Sequence, residues 1–338
     1  MTTFRESLAR VASRRSFLAV SGLIATAMCR PALAQDAGTP SASGWAMTDG
    51  RGNTISLPTR PERVVAFSPV AAALWELGVR PVGVFGPFRQ EDGSPDPQIG
   101  EVDLDAVVSI GDWEEFDLER LIALDPDLLV GLSLPDVPNT LWYVPEDASA
   151  TVEAIVPTFG VTPSDRGHLG LIEDIESLAA ALAADLDAPG IVATRNEFTA
   201  AEAELRDLLA EAEGLTALVI SASPDEIYVA NPSWFGDLRF FLAAGLPIIE
   251  PETEERWEIL SWEQAAKYQA DLILVDNRGG GVPFPVLDPI GTWQSLPAVQ
   301  AGQVGPWHAV APYGRRAFSN IVRGLTEIIR QTDASVVA

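Results

Sequence analysis

Cysteine is nearly absent: Cys29 is the only one, and it lies in the first thirty-odd residues. A chain cleaved after Ala34 has no thiol, which excludes disulfides and thiolate metal sites. Histidine is almost as scarce, with only His168 and His308. A bare zinc or manganese cage needs three or four ligands of suitable softness, so direct capture of such an ion is not expected. No Gly-rich phosphate loop ending in Lys-Ser/Thr, no Gly-x-Ser-x-Gly elbow and no His-Glu-x-x-His occurs. Gly279, Gly280 and Gly281 follow an apolar run, but Val282-Pro283-Phe284-Pro285 cannot open a helix, so they read as a loop rather than a phosphate cradle. Long apolar runs are missing too. The N-terminal stretch from Phe17 to Ala27 is short and broken by Ser21, Gly22 and Thr26, too little to span a bilayer. Lys267 is the sole lysine, and the net charge is −26. Removing residues 1–34 takes away five arginines and one glutamate and brings it to −30. Such a chain repels nucleic acid and anionic membranes, and neither is expected as a partner.

What is present begins with an address. Ser13-Arg14-Arg15-Ser16-Phe17-Leu18, the short apolar core and Ala32-Leu33-Ala34 form an export signal with cleavage before Gln35. The paired arginines resemble the twin-arginine (Tat) type, which exports folded cargo. Thr26-Ala27-Met28 lacks the small residue that a lipid-anchoring cysteine needs just before it. The expected product is therefore a soluble periplasmic protein without direct membrane insertion. Residues 35–46, rich in Gly, Ser, Thr, Pro and Ala, read as a flexible leader.

Beyond the leader, short apolar runs alternate with helical stretches. Arg63–Phe67, Pro81–Phe85, Asp127–Leu132, Thr216–Ala222, Ile227–Ala230 and Asp271–Asp276 are too continuously apolar for one-sided sheets. They predict α/β lobes with mainly parallel sheets. From His168 to Leu186 the apolar spacing is helical, Asp187-Ala188-Pro189-Gly190 ends it, and a second helix runs from about Ile191 to Glu213. The division expected is a first lobe over 47–165, connecting helices over 166–213 and a second lobe over 214–331. One larger domain with an insertion is the alternative. An internal echo favours two lobes: Glu119 to Asp127 before Leu128-Leu129-Val130 matches Glu263 to Asp271 before Leu272-Ile273-Leu274.

Aromatic and arginine residues crowd the predicted loops. Trp113, Trp142, Tyr143, Trp234, Trp257, Trp307 and Tyr313 fall at or beyond strand ends, as do Arg89, Arg278, Arg315 and Arg316. In α/β lobes those ends border the ligand crevice. Aromatic faces with a few fixed cations suit a bulky, oxygen-rich or partly anionic ligand. For any single tryptophan, core packing is an equal reading.

These landmarks resemble a known family. Thr48-Asp49-Gly50-Arg51-Gly52-Asn53-Thr54-Ile55-Ser56-Leu57-Pro58, Leu77-Gly78-Val79-Arg80-Pro81 and Leu124-Asp125-Pro126-Asp127-Leu128 resemble the class III periplasmic solute-binding proteins for ferric siderophores, haem and cobalamin. Ser261-Trp262-Glu263, Ala270-Asp271-Leu272-Ile273-Leu274 and the stretch from Trp293 to Val304 continue the likeness. Trp142-Tyr143-Val144-Pro145 and Val84-Phe85-Gly86-Pro87 are most like members that bind iron-siderophores.

The resemblance implies two Rossmann-like lobes joined by a long connecting helix, a ligand cleft between them and no catalysis. It implies delivery to an ABC permease driven by its ATPase; the chain itself is expected to be monomeric. The expected ligand is a ferric siderophore, a small iron chelate that satisfies its metal with its own oxygens, so no cofactor and no protein metal ligand are needed. Haem or cobalamin is the alternative, and Tyr143, Tyr313 and His308 keep haem open. A siderophore-processing hydrolase would need a nucleophile–base pair that the motifs do not supply. The expected contact set is Trp113, Trp142, Tyr143, Trp257, Arg278, Tyr313 and Arg315. Trp113 stands where hydroxamate-siderophore receptors place an arginine. The expected docking carboxylates are Glu119, by its match to the first-lobe motif, and Glu263, by the internal echo; simple preference for a helix N-terminus is the competing reading for both.

Overall fold

Residues alternating along single strands explain the architecture. In the computed structural model, which describes residues 44–112, 115–134, 140–164, 166–277 and 287–337, β8 (Ala217–Ala222) and β11 (Leu272–Asp276) pair in parallel with Val219 opposite Leu274. Ala217, Val219, Leu272 and Leu274 enter one apolar cluster. Leu218, Ile220, Ile273 and Val275 enter another on the opposite face. A strand buried on both faces has no polar positions to offer, hence the unbroken apolar runs in the sequence.

The first lobe opens with a hairpin, β1 (Trp45–Thr48) and β2 (Thr54–Leu57). Trp45, inside the stretch read as flexible leader, is buried, and its Nε1 donates to the Ala181 carbonyl at 2.9 Å. A five-stranded parallel sheet follows in the order β5-β4-β3-β6-β7. Its strands are β3 (Val64–Phe67), β4 (Gly83–Phe85), β5 (Val108–Ser109), β6 (Leu128–Leu132) and β7 (Thr158–Val161). Between them run α1 (Ser68–Glu76), a 3-10 helix at Pro97–Ile99, α2 (Leu118–Leu124) and α3 (Glu146–Ile155).

Two helices then lead across. The first, α4 (Gly167–Ala181), places Leu171, Ile175, Leu178 and Ala179 in the first lobe's core and Ile172 in the second's. It ends short of Leu186 because Ala183 adopts a positive φ of 71°. Pro189, read as part of a terminator, instead starts α5 (Pro189–Glu211), where its missing N–H costs nothing. The stripe Phe198, Ala201, Leu205 and Leu209 fixes α5 onto the second lobe.

That lobe's sheet has the order β10-β9-β8-β11-β12, with β9 (Glu226–Ala230) antiparallel to both its neighbours. After β9 come a 3-10 helix at Pro232–Trp234, α6 (Gly236–Ala244) and β10 (Trp257–Ser261). A 3-10 helix at Trp262–Lys267 leads to β11; α7 (Gly291–Gln294), α8 (Pro297–Gln300), β12 (Val304–Trp307) and α9 (Arg315–Arg330) complete the lobe. Phe318, Val322, Leu325 and Ile329 on α9 face the α5 stripe. Position by position the sheets correspond, β3 with β8 and β6 with β11. The result is two α/β lobes on a connecting helix. The export segment with Arg14, Arg15 and Cys29 lies outside the described residues, as do Trp113, Arg278 and the three glycines after it. Among the described residues, no helix is long and apolar enough to cross a membrane.

Candidate functional site

The C-terminal ends of the parallel strands bring the loop residues together. In the first lobe, Phe67 ends β3 and Ser68 starts α1, its hydroxyl donating to the Phe85 carbonyl at 3.0 Å. Gly86 follows β4 with φ 94°, and a Cβ there would lie 2.7 Å from the Phe67 ring. Gly111, after β5, has φ 103° and no room at all, since a Cβ would sit 1.9 Å from the Glu115 carbonyl oxygen. Only glycine fits such turns. Beyond β6, the Trp142 N–H donates to the Leu132 carbonyl at 2.7 Å. Tyr143 takes a φ of 68°, unusual for an aromatic residue. Its ring lies 5.3 Å from Phe67 and 6.0 Å from Trp142, so the strand-end loop carries a half-buried aromatic pair.

The second lobe has its own aromatic group. Trp257, half-buried on β10, lies 5.1 Å from Phe235, 5.9 Å from Trp307 and 6.4 Å from Tyr228. Trp307 ends β12 and donates from Nε1 to Asp237 Oδ2 at 2.8 Å. Burial pushes the Asp237 carboxyl up to about 6 despite that bond. Next to Trp307, the half-buried His308 has its pKa lowered by burial, with the Asp276 charge acting the other way.

A cavity of about 280 Å³ opens between the lobes. Pro69, Ala72, Glu76, Gln98 and Glu101 line it from the first lobe, and Asn277, His308, Arg316 and Asn320 from the second. Of the residues expected to contact ligand, the five that are described, Trp142, Tyr143, Trp257, Tyr313 and Arg315, are not in that lining. Tyr313 and Arg315 stand beside it, on a smaller cavity of about 20 Å³ shared with Glu76, Glu176 and Arg195. Tyr313 is buried in the first lobe's core, and desolvation raises its hydroxyl pKa further above the usual value. Arg315 holds Glu176 of α4 in a two-point pair at 2.7 and 3.2 Å. The structure thus brings Trp142 to Tyr143 and Tyr313 to Arg315, and sets Trp257 apart in the second lobe. Glu76, Glu101 and Asn277 escaped the sequence reading. Asn277 carried a usable signal, since it directly follows a fully buried strand; Glu76 carried none.

Glu119 and Glu263 are both exposed and both second in their helices, after Asp117 and Ser261 as N-caps. A hydrogen bond from Ser261 holds the Glu263 carboxyl below its usual range. Among the described residues, no three His, Cys, Asp or Glu side chains converge as a metal site.

Comparison with known proteins completes the picture. Residues 64–311 match the periplasmic binding protein family. No curated protein matches the sequence. Among solved structures, DesE, a ferric-siderophore receptor protein from Streptomyces coelicolor, is 34% identical with a TM-score of 0.80, over 86% of this chain and 99% of its own. The petrobactin-binding protein YclQ of Bacillus subtilis shares the fold at 15% identity and a TM-score of 0.65, over 85% and 99%. So does the siderophore periplasmic binding protein from the fuscachelin gene cluster of Thermobifida fusca, at 22% and 0.57, over 81% and 98%. With two α/β lobes on one connecting helix, a cavity between them and a match across most of its length, the chain belongs to the periplasmic binding protein family, in its class III form.

Proposed function

We propose that this protein is the substrate-binding component of an ABC importer, capturing a ferric siderophore outside the cytoplasm and delivering it to a membrane permease. The observation that carries this is the 34% identity to a ferric-siderophore receptor along nearly the whole of that receptor. The chemistry agrees. A chelate that already encloses its iron needs aromatic surface and charge-assisted hydrogen bonds, not metal ligands. Trp142, Tyr143 and Trp257 offer the aromatic surface, and Trp113 and Arg278 remain part of the proposed contact set on the sequence reading; Tyr313 and Arg315 stand on the small cavity beside the larger one. Glu119 and Glu263 dock the two lobes onto the permease, a role favoured by their matching, exposed places. Export through the Arg14-Arg15 signal and release as a soluble periplasmic protein complete the proposal.

Titration of the purified protein with iron-loaded hydroxamate, catecholate and carboxylate siderophores, read by tryptophan quenching, tests it. Saturable quenching by one class is expected. The haem reading rests on His308 in the cavity wall; tight haem binding with no response to any siderophore would replace the proposal. Alanine at Trp142, Tyr143 and Trp257 is expected to weaken binding about tenfold or more each, and unchanged affinity in all three would move the site.

A further inference from the structure

We infer that Glu76 is a latch between the lobes, capping α9 of the second lobe from the end of α1 in the first and so fixing how far the cleft opens. Helix α9 starts badly on its own. Its N-cap is Gly314, which has no side chain to accept the first-turn N–H groups. Glu76 supplies both acceptors from 240 positions away: Oε2 takes the Arg316 N–H at 3.1 Å and Oε1 the Ala317 N–H at 3.2 Å. Glycine at 314 is what admits the carboxylate, because a Cβ there would lie 2.4 Å from it. As the last residue of α1, Glu76 puts negative charge at the wrong end of its own helix, whereas the start of α9 is where a carboxylate is favoured. Its placement serves the second lobe.

The surrounding contacts hold the same segment. Arg316 Nη1 meets Glu101 Oε2 of the first lobe at 3.0 Å. From the connecting helix, Glu176 holds Arg315, and His168 Nε2 donates to the Pro312 carbonyl at 2.9 Å. Residues 312–317 are therefore gripped by the first lobe and by α4 together. Glu76 lines both the small cavity and the larger one between the lobes. Any rotation of the lobes about α4 that widens the larger cavity on this side must pull Glu76 off α9. The effect on ligand rests on the binding function proposed above; the cap itself does not.

The test uses the full chain with Glu76→Ala and Glu76→Gln. Hydrogen exchange over residues 314–318 reads the cap without ligand. Stopped-flow tryptophan fluorescence reads release of whichever ferric siderophore the unsubstituted protein binds. Glu76→Ala is expected to speed exchange at Arg316 and Ala317 about tenfold and siderophore release about three- to tenfold. Glu76→Gln, whose amide oxygen still accepts one N–H, should fall between. Exchange unchanged in both variants overturns the cap, and faster exchange with unaltered release overturns its control of the cleft. If Glu76→Ala does not fold by circular dichroism, Glu76→Gln decides by the same two readings. If the unsubstituted protein binds no siderophore, it is the proposed function that fails, and exchange still decides the cap.

Discussion

Asp127 and Asp271 hold matching positions in the two lobes: each directly precedes a central strand, and its carboxylate grips the backbone where the neighbouring strand begins. Asp127 Oδ2 accepts from the Glu62 and Arg63 N–H groups, both at 2.8 Å, at the foot of β3. Asp271 Oδ2 accepts from the Thr216 N–H at 2.9 Å and its hydroxyl at 2.7 Å, at the foot of β8. Glu119 and Glu263 stand eight residues ahead of them, each opening the helix that leads in. The sequence echo is thus a repeated structural unit.

The two aspartates differ in burial, which sets their worth. Asp127 is exposed, whereas Asp271 is buried and also receives the Val337 N–H at 2.9 Å. Burial alone would raise the Asp271 carboxyl, but the Thr216 and Val337 bonds prevail and hold it low. Asp271→Ala is expected to cost roughly 2–4 kcal/mol and Asp127→Ala about 1 kcal/mol in chemical denaturation. The reverse order would show that burial does not govern these clamps.

Two buried groups give the stability opposite pH slopes. Burial lowers His168 from 6.5 to about 4, so its contribution is complete above pH 6.5 and is lost as pH falls toward 4. Burial raises Asp237 from 3.8 to about 6, so its contribution is complete below 3.8 and is lost as pH rises toward 6. Asp237→Asn keeps an acceptor for Trp307 Nε1 without the charge. It should stabilise the protein by roughly 1–3 kcal/mol at pH 8 and hardly at pH 3.5. An equal gain at both values would contradict the assignment.

Charge reversal separates docking from binding. Glu119→Arg and Glu263→Arg should leave thermal stability and siderophore titrations unchanged while abolishing uptake in cells. Uptake that survives one reversal removes that carboxylate from the docking surface.

Arg315 allows a sharper distinction. With its guanidinium committed to Glu176, Arg315→Ala is expected to lower stability by about 1–3 kcal/mol. Affinity per folded molecule should fall far less than for Trp257→Ala. A larger loss of affinity than for Trp257→Ala would place Arg315 against the ligand.

The central strands were legible because burial on both faces leaves a continuous apolar signature. β7 and β12 were not: Thr158-Phe159-Gly160-Val161 and Val304-Gly305-Pro306-Trp307 become strands through pairing with β6 and β11, which no local pattern reports. The same limit governs the site. Strand-end aromatics announce a crevice by position, but whether a side chain faces it depends on partners far away in sequence. Tyr313 and Arg315 have such partners in the first lobe's core and in Glu176.

Tyr313 also bears on how the protein is made. Its side chain belongs to the core built around β3, β4 and β6, although it follows the last strand of the second lobe's sheet in sequence. A ribosome that has released the entire first lobe has not yet released the tyrosine that fills that lobe's interior. The first lobe's full set of core contacts can therefore form only once residue 313 has emerged, after the whole sheet of the second lobe.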